Sequence, residues 1–149
     1  MDQVSDVAHI VQLAVAPVFL LAGIGAILNV VTSRLGRVVD RARSLEAALT
    51  DMPEPLAGKR MRSELASLDR RMMLAQRAIY LCTLAALLVC VVVAALFLST
   101  LADINFGAPV AIMFVAAMLC LIGGLSLFLV EISVATRTLR VRAELFAKE

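Results

Sequence analysis

Tryptophan is absent from this chain of 149 residues, and histidine occurs only once. A single histidine excludes sites built from several imidazoles, such as the HExxH motif of zinc proteases. Cys82, Cys90 and Cys120 lie in apolar runs without a CxxC partner, so they are interpreted as small packing residues. The sequence also lacks a Gly-rich phosphate loop and a nucleophile–base spacing. We therefore expect no enzyme, no catalytic residues, no cofactor and no metal site.

Charged residues are missing from three long runs, 7–31, 78–102 and 108–130. Each run exceeds the roughly 20 residues that a helix needs to cross the hydrocarbon of a bilayer. The chain is 62% hydrophobic, whereas soluble domains are nearer half apolar. A helix satisfies its own backbone polar groups in lipid. The pattern predicts an all-α integral membrane protein, a single domain over 1–149 with three transmembrane helices and a tail at 131–149.

Lysine and arginine are confined to two segments that three crossings place on one side of the membrane. They are Arg34, Arg37, Arg41, Arg43, Lys59, Arg60, Arg62, Arg70, Arg71 and Arg77 in the first segment, and Arg137, Arg140, Arg142 and Lys148 in the second. The opposite side has no basic residue. Because basic loops stay in the cytoplasm, we expect the N-terminus outside and the C-terminus inside. The basic side should attract anionic lipid headgroups; no nucleic-acid partner is expected.

The segment 32–77 has helical periodicity on both sides of a proline pair. Apolar residues are spaced 4, 3, 4, 3, 4 in each half, namely Val31, Leu35, Val38, Ala42, Leu45 and Leu49, then Met61, Leu65, Leu68, Met72, Ala75 and Ile79. Pro53 and Pro55 interrupt helix between them. This heptad-like spacing predicts a long cytoplasmic antiparallel helical hairpin, packed as a coiled coil, between the first and second spans.

Two stretches and the three-span plan resemble a known family. They are 11–21, VQLAVAPVFLL, and 29–43, NVVTSRLGRVVDRAR. In these the chain is similar to the small bacterial membrane proteins grouped as domain of unknown function 2721. The resemblance implies a multi-pass protein of the bacterial cytoplasmic membrane and implies no activity.

Four polar residues near the N-terminus form a candidate outer mouth of a pore: Asp2, Asp6, His9 and Gln12. His9 and Gln12 share a narrow stripe of the first helix, and polar groups at membrane depth face protein or water. The alternative interpretation is an interfacial polar cap that packs against the 103–107 turn.

A second polar group lies where the helices approach the inner membrane surface. It is a candidate ion-pair network of Asn29, Arg34, Arg37, Asp40, Arg77 and Glu131. Glu131 ends the third apolar run, where an unpaired carboxylate is costly. We expect it to pair with Arg34 or Arg77; the alternative is a role in proton or ion handling. For the arginines themselves, the alternative is anchoring at lipid headgroups.

Rows of small residues occur in all three spans, which is typical of closely packed membrane helices. Three rows exceed the needs of one three-helix bundle, so a homo-oligomer is expected. The function that we predict is a homo-oligomeric membrane pore or ion pathway of unknown selectivity. The alternative is a membrane scaffold or a stator-like energy-coupling component with a protein partner.

The predicted topology can be tested by labelling single cysteines in intact cells, after the native cysteines are replaced by alanine. Variants at Ser5 and Asn105 should react with an impermeant maleimide, and variants at Ser44 and Ala147 should not. Labelling at Ser44 would contradict the orientation.

Overall fold

A computed structural model of the protein contains three α-helices: α1 (Asp2–Thr50), α2 (Pro55–Ala102) and α3 (Gly107–Phe146). It describes the backbone of residues 2–50, 55–102 and 107–146, and the side chains at 12, 15–48, 61–99, 101 and 107–135. All three helices are long and apolar enough to cross a membrane over Val15–Ala48, Met61–Ser99 and Gly107–Ala135. The shortest of these stretches has 29 residues, which is about 43 Å of helix against roughly 30 Å of hydrocarbon. The all-α prediction with three membrane-type helices is confirmed.

Each helix extends well past its apolar run. α1 continues through Pro17 and through the basic stretch after Val31. α2 combines the second half of the segment 32–77 with the second apolar run in one uninterrupted helix. The predicted boundaries at 31 and 77 therefore mark changes of composition within continuous helices.

The chain folds as two compact units that share these helices. The first unit contains Met1–Asn29 and Tyr80–Gly124. Its core is formed by Ile24, Cys82 and Ala85, which are at most 1% exposed. Leu20, Leu28, Ala86, Cys120 and Leu121 pack around them. The buried Cys82 therefore fills space between helices as a small apolar residue does.

The second unit contains Val30–Ile79 and Leu125–Glu149. Its apolar cluster joins α1 to α2: Val38, Ala42, Leu45 and Leu68 are buried, and Met61, Leu65 and Met72 pack against them. Arg41 and Glu64 add a salt bridge of 3.1 Å on the surface. Because Arg41 is exposed and Glu64 is partly exposed, water screens the pair, which contributes only about 0–1 kcal/mol. Apolar packing therefore provides most of the contact energy here.

Buried positions recur every seven residues along α2. One row is Leu68, Ala75, Cys82 and Val89; the other contains Ala78, Ala85 and Val92. The sequence pattern had favoured Met72 and Ile79 for the second row, but both are only partly buried and Ala78 is fully buried. The second row is thus displaced by one residue from the apolar pattern.

The α1–α2 cluster can be tested by truncating one of its leucines. Leu45→Ala should lower the free energy of unfolding by about 2–3 kcal/mol, because it opens a cavity at a position only 5% exposed. Met73→Ala, at a position 49% exposed in the same unit, is the control and should cost far less. Thermal unfolding in detergent micelles, followed by circular dichroism, measures both. Equal losses would show that Leu45 does not pack as described.

Candidate functional site

One charged side chain lies in the core of the second unit. Glu131 of α3 is 2% exposed, and it is the only buried charged or polar residue among the described positions. It follows Ala117 and Gly124 at intervals of seven residues, and all three are buried. The helix register therefore places this carboxylate in the core.

Arg71 of α2 is the principal partner of Glu131. Its Nε and Nη2 donate hydrogen bonds of 3.1 and 2.9 Å to the same carboxylate oxygen, Oε1. The Arg71 side chain is 19% exposed, so both partners are largely removed from water. Charge-assisted hydrogen bonds of this length are among the strongest in proteins.

The second carboxylate oxygen faces Arg34 of α1. Nη1 of Arg34 lies 4.0 Å from Oε2, which is an ion pair but too long for a hydrogen bond. Oε2 is buried and accepts no hydrogen bond from any described residue. The Arg34 guanidinium also lies 5.8 Å from the centre of the Phe128 ring, within the range of a cation–π interaction. We call Arg34, Arg71 and Glu131 the Glu131 centre.

The Glu131 centre contains only part of the ion-pair network expected from the sequence. Arg34 and Glu131 lie together, whereas Arg77 is exposed and forms no ion pair within the described chain. Arg37 and Asp40 are exposed as well, and no ion pair joins either of them to another described residue. Asn29 is exposed at the end of its unit. Glu131 therefore forms an ion pair with Arg34, one of its two expected partners, and with Arg71 rather than Arg77.

Arg71 was missed because its neighbour Met72 fits the apolar pattern better. In the structure Arg71 precedes Ala78, Ala85 and Val92 at intervals of seven, so it occupies a core row of α2. Burial of Arg71 could be predicted only if this buried row of α2 had first been recognised in the sequence. The small residues Ala78 and Ala85, at the same spacing, are the signal that the sequence offers.

The four residues of the candidate outer mouth are only partly described. Gln12 of α1 is exposed. Asp2, Asp6 and His9 belong to α1, but their side chains lie outside the described residues. Whether these four side chains come together therefore stays a prediction.

An apolar groove of about 470 Å³ opens on the first unit. Its walls include Pro17, Leu20, Val92, Leu96 and Phe114. Specific small-molecule sites combine apolar walls with a few polar groups that orient the ligand, and this groove has none among its lining side chains. Across the described positions, no three His, Cys, Asp or Glu side chains cluster as metal ligands would. The Glu131 centre is therefore the best candidate for a functional site.

The Arg71–Glu131 pair can be tested by a double-mutant cycle. Glu131→Gln should lower the free energy of unfolding by about 3 kcal/mol, because it leaves the Arg71 charge buried without its partner. Arg71→Gln should cost a similar amount. The double variant should lose clearly less than the sum, as expected for directly coupled residues.

Arg77→Gln is the matched control, since it removes an exposed arginine of the same helix, and it should change thermal stability little. If Glu131→Gln left stability unchanged but altered ion flux or its pH dependence, the carboxylate would belong to a transport path instead.

Comparison with known families identifies the family of this chain and adds no activity. The family model described as protein of unknown function (DUF2721) matches residues 14–141, which includes every residue of the Glu131 centre. No curated protein and no solved structure matches the chain. Because the family model covers far more than half of the sequence, the resemblance found in the two N-terminal stretches is confirmed. The chain belongs to the DUF2721 family of proteins of unknown function.

Proposed function

We propose that this protein assembles into homo-oligomers that surround an ion pathway in the cytoplasmic membrane, with α1 nearest the central axis. The proposal is supported mainly by the exposed surface of α1 in the first unit. From residue 22 to residue 29 the exposed positions are Ala22, Gly23, Gly25, Ala26 and Asn29. A side chain added at Gly23 or Gly25 would meet nothing within 4 Å. Over this stretch the exposed residues of α1 are therefore small, with Asn29 as the polar one, whereas Val15, Val18 and Phe19 nearer the N-terminus are large, apolar and 47–74% exposed.

The exposed surface of α3 in the same unit is different. Ile112, Val115, Leu119 and Ile122 are 57–70% exposed there. Large apolar side chains suit contact with lipid, whereas small residues permit close contact between helices and polar residues avoid lipid. The contrast favours lipid around α3 and protein or water beside residues 22–29 of α1.

A water-filled path is supported by the polar residues along α1. Gln12 is exposed near the outer end and Asn29 near the inner end of the first unit. Asp2, Asp6 and His9 precede Gln12 in the same helix and would add charge at an outer mouth. Rings of carboxylates at a pore entrance favour cations.

The second unit would lie on the cytoplasmic side, with the N-terminus outside. The confinement of Lys and Arg to two segments supports this orientation. The contacts of Val38, Ala42 and Leu45 with Leu68 support a cytoplasmic antiparallel hairpin formed by α1 and α2. In an oligomer, such hairpins would form a cytoplasmic vestibule.

The alternative function is a membrane scaffold or a stator-like component that binds another protein. It is favoured by the long packed ends of α1 and α2, which would present a surface to a partner. A proton-driven stator requires a carboxylate near mid-membrane, and the described residues of the first unit contain none. The pathway is therefore preferred.

Subunit number and conductance test the proposal together. Native mass spectrometry should give a ring of about four to six subunits, as expected for a closed cyclic assembly. The same preparation should conduct ions in a planar bilayer. Asn29→Leu should lower that conductance several-fold, because it places an apolar side chain on the path. Thr83→Leu is the control, since Thr83 is an exposed polar position on α2.

A monomer that conducts no ions would overturn the proposal. Co-purification of a stoichiometric partner protein with that monomer would favour the scaffold. Equal loss of conductance in both variants would remove the assignment of α1 to the axis.

A further inference from the structure

The Glu131 centre carries more positive than negative charge. It contains two guanidinium groups, which remain protonated in proteins, and one carboxylate. Arg71 is matched by its two hydrogen bonds to Oε1. The surplus positive charge therefore belongs to Arg34.

Arg34 is also short of hydrogen-bond acceptors. Its nearest carboxylate oxygen, Oε2 of Glu131, is 4.0 Å away, and Arg34 donates no hydrogen bond to any described residue. A guanidinium has five N–H donors in a fixed plane. The Arg34 side chain is 33% exposed, so about two thirds of it is shielded from water while the rest is reachable from outside.

The orientation of Arg34 is restrained from two sides. The ring of Phe128 lies 5.8 Å from the guanidinium carbon, and the carboxylate of Glu131 attracts Nη1. A guanidinium held in this way loses less conformational freedom when it binds a ligand than one on a fully exposed side chain. The restraint favours specific binding over diffuse attraction.

We infer that Arg34 binds a phosphate group, with Glu131 and Phe128 as positioning residues. A tetrahedral phosphate presents oxygens that match the planar fork of a guanidinium. Arg34 follows the first apolar run by three residues, so it would lie near the phospholipid phosphates when that run spans the hydrocarbon. Basic groups between membrane helices at the cytoplasmic surface bind anionic headgroups in this manner. The phosphate comes from a phospholipid headgroup or from free inorganic phosphate.

The inference does not rest on the proposed pathway, because one copy of the chain supplies all three residues. It differs from general attraction of lipids to the basic segment, since it assigns the binding to one guanidinium. Arg37 provides the comparison. It lies one turn further along α1, is exposed, and forms neither an ion pair nor a cation–π contact with a described residue.

The test uses the full-length protein in a neutral detergent. Phosphatidylglycerol, phosphatidylcholine or inorganic phosphate is added, and both the unfolding temperature and the lipid retained in native mass spectrometry are recorded. Phosphatidylglycerol should stabilise the protein and remain bound, while phosphatidylcholine should do so much less. Arg34→Gln should weaken phosphatidylglycerol binding by about tenfold or more, the value of one charge-assisted contact.

Arg37→Gln is the matched control and should retain most of the binding. Arg34→Lys should bind with intermediate affinity, since it keeps the charge and loses the fork. Unfolding in detergent without additives shows whether each variant is folded. Stabilisation by inorganic phosphate that is lost in Arg34→Gln would support the site with free phosphate as the ligand. Equal weakening in Arg34→Gln and Arg37→Gln, or no response to any phosphate-containing additive, would overturn the inference.

Discussion

The packing of this protein depends on a spacing of seven residues between buried positions. Ile24, Val31, Val38 and Leu45 follow this spacing in α1, and Leu68, Ala75, Cys82 and Val89 follow it in α2. Seven residues of an ideal α-helix fall about 20° short of two full turns, so positions spaced by seven stay close to one face of the helix over several turns. A side chain at the next position of such a row is then buried because of where it lies on the helix, whether it is apolar or charged. In α3 the same spacing leads from Ala117 through Gly124 to Glu131.

Burial of Glu131 in turn requires a positive partner at a matching level of another helix. Arg71 meets this requirement because it, too, lies in a buried row, seven residues before Ala78. Sliding either helix by one turn would move the two groups apart by about 5.4 Å and leave both charges unpaired. Apolar contacts between membrane helices discriminate weakly between registers, since lipid is as apolar as the helices themselves. The directional Arg71–Glu131 pair therefore contributes more to fixing how α2 and α3 align along their lengths than to net stability.

Much of the fold follows from composition and periodicity. Three charge-free runs predict three membrane-type helices, and the apolar spacing of the segment 32–77 correctly marks Val38, Ala42, Leu45 and Leu68 as buried. The ion pair is less predictable. Glu131 is identifiable because it ends an apolar run, but its partner depends on a one-residue difference between the rows of Arg71 and Met72. Hydrophobicity predicts that Met72 lies in the buried row. Arg71 lies there instead because of contacts between helices, and the sequence of one segment does not encode those contacts.

The distribution of charge and the packing of the first unit also bear on the proposed ion pathway. In the first unit none of the described side chains is Asp, Glu, Lys or Arg, and Ala85, Val89 and Ala117, which lie between its helices, are 0% exposed. Interiors packed in this way leave no room for a column of water. Apart from the apolar groove beside Pro17 and Phe114, the described interior offers no space for water, so the proposed pathway would run between copies. The Glu131 centre has no such requirement, because its three side chains come from one chain. The proposed assembly and the proposed phosphate site thus depend on different residues, so either proposal can be correct if the other fails.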